Sequence, residues 1–134
     1  VNVDFQTIVV QGGVAGINLR RQGNRYEHMA AGYLKERGYK IVARQFRCRQ
    51  GEIDIIAEDG ALIVFVEVKG RRTCAFGLPE EAVDWRKQNR IRQAAEYFLW
   101  SRQKTDHLCR FDVVAVYDKG PQKCQINHIK SAFS

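Results

Sequence analysis

No apolar run in this chain approaches the roughly 20 residues needed to span a bilayer. The longest N-terminal candidate, Ile8 to Ile17, is interrupted by Gly12, Gly13 and Gly16 and has no basic flank before it, so it makes a poor secretory signal. The four cysteines, Cys48, Cys74, Cys109 and Cys124, form no CxxC or CxxH pair, which argues against a structural zinc site. Nothing supports the secreted setting that a disulfide framework needs, so reduced cysteines in a cytoplasmic protein are expected. His28, His107 and His128 are scattered without HxH or HExxH spacing, and GxSxG and phosphate-cradling glycine loops are both missing. Histidine-metal hydrolases, serine hydrolases and P-loop enzymes are therefore poor candidates. There is no internal repeat, low-complexity tract or linker.

What is present suffices for one domain with a real core: 134 residues, 45% of them hydrophobic and 28% charged. The 22 basic residues outnumber 15 acidic ones, a net charge of +7, which favours a polyanionic partner such as nucleic acid. Residues 1–22 mix β-branched residues with glycines and read as an N-terminal arm, either flexible, appended as a strand or dimer-forming. Residues 23–134 read as a single domain. In it Tyr26, Met29, Ala30, Tyr33 and Leu34 fall at helical spacing before Gly38, predicting a helix over about 24–37. Strand character follows in Tyr39–Arg47, Glu52–Ala57 and Leu62–Lys69, the last two joined at Asp59-Gly60, a two-residue hairpin signal. Leu62–Val66 is continuously apolar, as in a central strand covered on both faces. Pro79 opens a short helical turn, and Asp84 caps a long helix with Ile91, Ala94, Ala95, Phe98 and Leu99 as its buried stripe. Phe111–Tyr117 and Gln125–Ile129 complete an α/β order of α-β-β-β-α-β-β, joined across Lys119-Gly120-Pro121.

Charged residues interrupt two of the strands that otherwise read as core: Gly51-Glu-Ile-Asp54 and Phe65-Val-Glu67-Val-Lys69. With Asp59 and Gly60 as the loop, Asp54 falls opposite Phe65 and Glu52 opposite Glu67. Period-2 alternation then puts Glu52, Asp54, Glu67 and Lys69 on one face. Opposed like charges on a sheet are destabilising, and a half-buried carboxylate cluster is costly unless a cation neutralises it. Mg²⁺ (or Mn²⁺) suits such a site, since it takes oxygen ligands, accepts one or two carboxylates and fills its remaining positions with water and phosphate oxygens. Lys69 could stabilise developing negative charge or help activate a water. The alternative is a solvated sheet face carrying a Glu–Lys ladder. Glu27 lies at the margin of the first helix's apolar stripe, either over the sheet or as an ordinary surface glutamate.

Glu27 on a first helix, GEID with Asp54, and FVEVK with Glu67 and Lys69 resemble the PD-(D/E)xK nuclease superfamily. The likeness is closest to the small bacterial YraN-like family, distantly related to archaeal Holliday-junction resolvases. Further matches are Lys87-Gln88, Arg110-Phe-Asp-Val-Val114 and the terminal Ile129 to Phe133, so the likeness spans about residues 23–133. It implies a central mixed β-sheet flanked by helices, as in restriction endonucleases. It also implies Asp54 and Glu67 as metal ligands, the Val68 carbonyl completing the set, Lys69 as catalytic lysine and Glu27 as an outer carboxylate of the site. Ile53 stands where the superfamily's name has proline.

Arg47, Arg49, Arg71 and Arg72 flank this site in sequence, and Arg86, Lys87 and Arg90 crowd the start of the long helix. Together they can form a surface that tracks a phosphate backbone. The leading expectation is a metal-dependent endonuclease acting on nucleic acid, DNA in the first instance and branched DNA if the likeness extends to substrate. The alternative is a non-catalytic nucleic-acid-binding module, or a repair or recombination scaffold, retaining the fold. Symmetric cutting of two strands would call for a homodimer, with the arm or the Leu62–Val66 hairpin edge as candidate surfaces.

Overall fold

A computed structural model of the chain describes residues 2–9, 19–71, 83–118 and 123–134, with side chains over 24–70, 83–118 and 124–134. The elements are β1 (Asn2–Val9), α1 (Leu19–Glu36), β2 (Lys40–Cys48), β3 (Gly51–Asp59), β4 (Leu62–Arg71), α2 (Trp85–Ser101), β5 (Cys109–Asp118) and β6 (Lys123–Phe133). From α1 onward this is the expected α-β-β-β-α-β-β order. The strands form one mixed sheet in the order β1-β6-β5-β4-β3-β2, antiparallel except for the parallel pair β4 and β5. A parallel pair demands a crossover, and α2 lies in it. β1 pairs along β6, from Asn2 against Lys130 to Val9 against Lys123. Among the described residues, no helix is long and apolar enough to cross a membrane.

Each face of the sheet buries one helix. On one, Tyr26, Met29, Ala30 and Leu34 of α1 pack on Ile55, Val64, Val66, Val114 and Ile126. On the other, the whole predicted stripe of α2 packs on Ile53, Ile56, Phe65 and Val113. β4 sits between β3 and β5 and contributes to both layers, which is why its sequence is apolar without alternation. It is therefore no edge, and the Leu62–Val66 docking edge is ruled out. α1 begins at Leu19, earlier than the periodicity of 24–37 suggests, and ends at Glu36, with Gly38 in the turn that follows. There the Gly38 and Tyr39 amides return to Lys35 and Leu34, with Gly38 at φ 89° supplying the left-handed residue this closure needs. Asp84 caps α2 by accepting the Lys87 amide at 2.8 Å. The expected turn at Pro79 and the connection across Lys119-Gly120-Pro121 lie outside the described residues.

The hairpin register differs from expectation by two residues. Asp59 pairs with Leu62 and Glu58 with Ile63, so the loop is Gly60-Ala61 rather than Asp59-Gly60. Gly60 takes φ 61° at the first loop position, a conformation that favours glycine there over aspartate. Strict alternation also fails in β3: Ile53 and Ile56, three residues apart, enter the same core layer. Opposite this break, between the pairs Arg44↔Ile55 and Phe46↔Ile53, Gln45 of β2 sits at φ 51°, and the β2–β3 register itself shifts between Ile41 and Ala43.

The Arg110-Phe-Asp112 motif builds a buried polar network away from the carboxylates of β3 and β4. Asp112, fully buried, accepts Nε and Nη2 of Arg110 at 2.8 Å each and the Ser131 amide at 3.1 Å. His128 Nε2 lies 2.8 Å from Asp112, and its Nδ1 lies 3.2 Å from the Tyr33 hydroxyl. Burial alone would raise the Asp112 carboxyl, but the bonds from His128 and Arg110 hold it below the usual carboxylate value. This network ties β5 and β6 to α1, and it gives His128 a packing role.

Candidate active site

β3 and β4 pair from Ile55–Asp59 against Leu62–Val66, and beyond Val66 the described ladder stops. Asp54 and Glu67, the next residue on each strand, stand at this fork. Asp54 Oδ2 accepts the Val68 amide at 2.9 Å, so a side chain satisfies a backbone donor beyond the end of the ladder. Glu67 is 4% exposed, and two ammonium groups meet its Oε1: Lys69 Nζ at 3.5 Å and Lys87 Nζ at 2.8 Å. Lys69 comes from the same strand and Lys87 from the first turn of α2, which the Asp84 cap holds in place.

Glu27 reaches the same end of the sheet from α1. It is 5% exposed and accepts Arg44 Nε on Oε1 at 2.9 Å and Gln45 Nε2 on Oε2 at 3.1 Å. Both partners come from the irregular stretch of β2; Gln45 Nε2 also donates to Asn24 Oδ1 at 3.1 Å. A cavity of about 270 Å³ is lined by Asn24, Tyr26, Glu27, Gln45, Asp54, Val68 and Gly70. The Tyr26 ring packs against Gly70 of β4, where any Cβ would overlap it.

The electrostatics follow from this crowding. Burial, then the charge of Glu67, with a smaller contribution from Glu27, pushes the Asp54 carboxyl up to about 7, against the opposing pull of the Val68 amide and Lys87. Burial acts to lower the Lys87 ammonium, but its hydrogen bond to Glu67 and the charges of Glu67 and Asp54 raise it above the ordinary lysine value. Among the described residues no group of three or more histidine, cysteine or acidic side chains is placed to hold a metal. The oxygen donors that meet at the fork are the carboxylates of Asp54 and Glu67. That oxygen-only, incomplete set fits Mg²⁺, which binds through one or two carboxylates and keeps its remaining positions for water and phosphate.

The model of the uncharacterised protein family UPF0102 matches residues 26–116 of this chain, a span that includes Glu27, Asp54, Glu67, Lys69 and Lys87. The chain belongs to this family. A UPF0102 protein of Syntrophus aciditrophicus (strain SB) is 51% identical over 113 residues, covering 84% of this chain and 88% of the relative. One from Caldicellulosiruptor saccharolyticus is 47% identical over 118 residues, covering 87% of this chain and all of the relative. The UPF0102 protein GSU0650 of Geobacter sulfurreducens is 47% identical over 111 residues, covering 83% of this chain and 87% of the relative.

Within this UPF0102 chain, Glu27, Asp54, Glu67 and Lys69 all come to one end of the sheet. Glu52 does not join them: it is exposed and pairs with Arg47 at 3.3 Å. The break in alternation between Ile53 and Ile56 accounts for its misplacement, since a two-residue register shift leaves facing unchanged. Of the basic residues, Arg47, Arg49, Arg86 and Arg90 are exposed, and Lys87 turns inward to Glu67. A small cleft of about 100 Å³ is lined by Glu52 of β3 and by Lys87, Arg90 and Ile91 of α2. Arg71 closes β4, and its side chain and all of Arg72 lie outside the described residues. Sequence reasoning missed Arg44 and Gln45 as the partners of Glu27, and Lys87 as a partner of Glu67. Both depend on contacts across 17 or more positions, which no local pattern announces.

Proposed function

We propose that this chain is a Mg²⁺- or Mn²⁺-dependent nuclease that hydrolyses phosphodiester bonds in DNA, with branched DNA as the first substrate to test. The observation that carries this reading is the fork itself: Asp54 and Glu67 brought together where β3 and β4 part, with Lys69 two residues further along β4. In solvent-accessible surroundings such a pair would simply hydrate. Here the Asp54 carboxyl is pushed up to about 7 and Glu67 is nearly covered, so both gain from a cation.

Asp54, Glu67 and the Val68 carbonyl would hold the divalent cation, which supplies Lewis-acid stabilisation of the phosphate and makes water a better nucleophile when bound. The amide of Val68 fixes Asp54 Oδ2, leaving Oδ1 as its oxygen for ligation. Lys69, only 16% exposed at its side chain, is positioned to stabilise the negative charge that gathers on the phosphoryl oxygens as water adds and the P–O ester bond breaks. Glu27 is anchored by Arg44 and Gln45 and bounds the cavity in which the attacking water must be oriented. Exposed Arg47, Arg49, Arg86 and Arg90 supply the surface along which a phosphate backbone runs.

The test is cleavage of branched, flapped, single-stranded and duplex substrates in Mg²⁺ or Mn²⁺. Wild-type protein is expected to cut at least one class, and Asp54→Asn, Glu67→Gln and Lys69→Ala to lose turnover while retaining most nucleic-acid affinity. One feature favours a second reading: Glu67 is already charge-compensated by two lysines. Tight binding by the wild type with no cleavage in either metal would decide for a non-catalytic binding module or scaffold.

A further inference from the structure

Glu67 is charge-compensated without a metal. Glu27 takes its partners from Arg44 and Gln45, and the Oε1 of Glu67 is met by both Lys69 and Lys87. A divalent cation adds two charges and stands about 2.0–2.1 Å from its carboxylate oxygens. An ammonium that keeps its hydrogen bond to the same oxygen would then be held at strongly repulsive range from the cation in a poorly hydrated site. One lysine has to give way.

The two are not equally free to do so. Lys69 is carried by β4 itself, two residues from Glu67, and its side chain is 16% exposed. Lys87 approaches from another element with a side chain 42% exposed, beside the cleft it lines with Glu52 and Arg90. Its neighbours Arg86 and Arg90 are exposed, so an ammonium released from Glu67 enters basic, solvent-facing surroundings. Glu52, the acidic residue of that cleft, is already paired with Arg47.

Resting on the metal-dependent reading above, we propose that Lys87 is the counter-ion holding Glu67 in the metal-free protein, that a divalent cation displaces it, and that its freed ammonium then binds the substrate's phosphodiester. Metal and nucleic acid are thereby coupled through one side chain: the cation must compete with Lys87 for Glu67, and its arrival adds a phosphate contact. By reciprocity, nucleic acid that captures Lys87 strengthens metal binding by the same factor.

Calorimetric titration of Mn²⁺ into the full chain tests this without reference to turnover, using wild type, Lys87→Ala, Lys87→Gln and Asp54→Asn. Lys87→Gln is included because it keeps a hydrogen-bond donor for Glu67 if the alanine variant folds poorly. Both Lys87 variants are expected to bind Mn²⁺ about tenfold more tightly than wild type, a usual size for coupling between sites. The gain in affinity for a labelled four-way DNA junction on replacing EDTA with Ca²⁺ should be smaller in both variants than in wild type. If the Lys87 variants bind Mn²⁺ no more tightly than wild type while Asp54→Asn abolishes binding, the metal site stands and the counter-ion role is overturned. If wild-type protein binds no Mn²⁺, the metal-dependent reading falls and takes the counter-ion role with it.

Discussion

At Asp54 one side chain carries most of the local conflict. Its carboxyl is pushed from 3.8 up to about 7 by burial and by Glu67, so the folded protein binds a proton there that the unfolded chain has already released. Between those two values the unfolded state holds fewer protons, and stability therefore falls as pH rises through the window. Metal-free wild type is accordingly expected to lose stability relative to Asp54→Asn from about pH 4 to pH 7; denaturant titrations at intervals across that range measure the difference. The asparagine keeps an acceptor for the Val68 amide, so the comparison isolates charge. At pH 7.5, Mg²⁺ at 100 times its dissociation constant should stabilise wild type by about 2.7 kcal/mol and Asp54→Asn by nothing measurable. A variant that responds to Mg²⁺ as wild type does would place the metal elsewhere. Glu27 shows the other side of residue-level reading. Its helical position alone left it between sheet and solvent, and the hydrogen bonds from Arg44 and Gln45 of β2 are what satisfy it where it is buried.

Among the elements, α2 does two jobs. Its apolar stripe closes one face of the sheet, and its first turn delivers Lys87 to Glu67. The cap at Asp84 joins these jobs, since its carboxylate accepts the amide of Lys87 itself. Asp84→Ala should cost about 1 kcal/mol, the usual price of a lost N-cap, and lower the melting temperature by a few degrees. It should also loosen the Lys87–Glu67 contact, seen as faster amide exchange confined to the first turn of α2. Unchanged exchange there would show that packing of Ile91 and Ala94, rather than the cap, positions that turn. The stripe and the cap were both legible in sequence because each depends on spacing within one helix. The β3–β4 register was not, because Asp59-Gly60 and Gly60-Ala61 both match a two-residue loop, and the structure puts Gly60, at φ 61°, in the first loop position.

For the whole molecule, Arg47, Arg49, Arg86 and Arg90 are, among the described residues, exposed contributors to the net charge of +7. Replacing Arg86 and Arg90 together by alanine should weaken nucleic-acid binding and reduce the slope of log affinity against log salt by up to ~2 units. A slope equal to that of wild type would remove both from the interface. Symmetric cutting of two strands needs two such sites, and a two-fold dimer supplies them most simply. Light scattering on the full chain is expected to report a dimer; a monomer at every concentration would leave a single-site nicking enzyme as the surviving form of the proposal. β4, interior to the sheet, is not the surface through which such a dimer could pair.

Local rules were enough for the elements from α1 onward, the two-faced burial of β4, the stripe of α2 and the presence of carboxylates where core residues belong. Each is a consequence of periodicity or of the cost of burying charge, and both are written along the chain. Tertiary structure decided which of those carboxylates meet. It excluded Glu52, parted β3 from β4 beyond Ile55 and Val66, and brought Lys87 across from α2. It also turned Arg110, Asp112 and His128 into a buried scaffold rather than a site. The physical reason is the same throughout: a strand's alternation fixes facing only until a bulge or a fork interrupts it, and partners from distant segments are chosen by packing the two helices on the sheet.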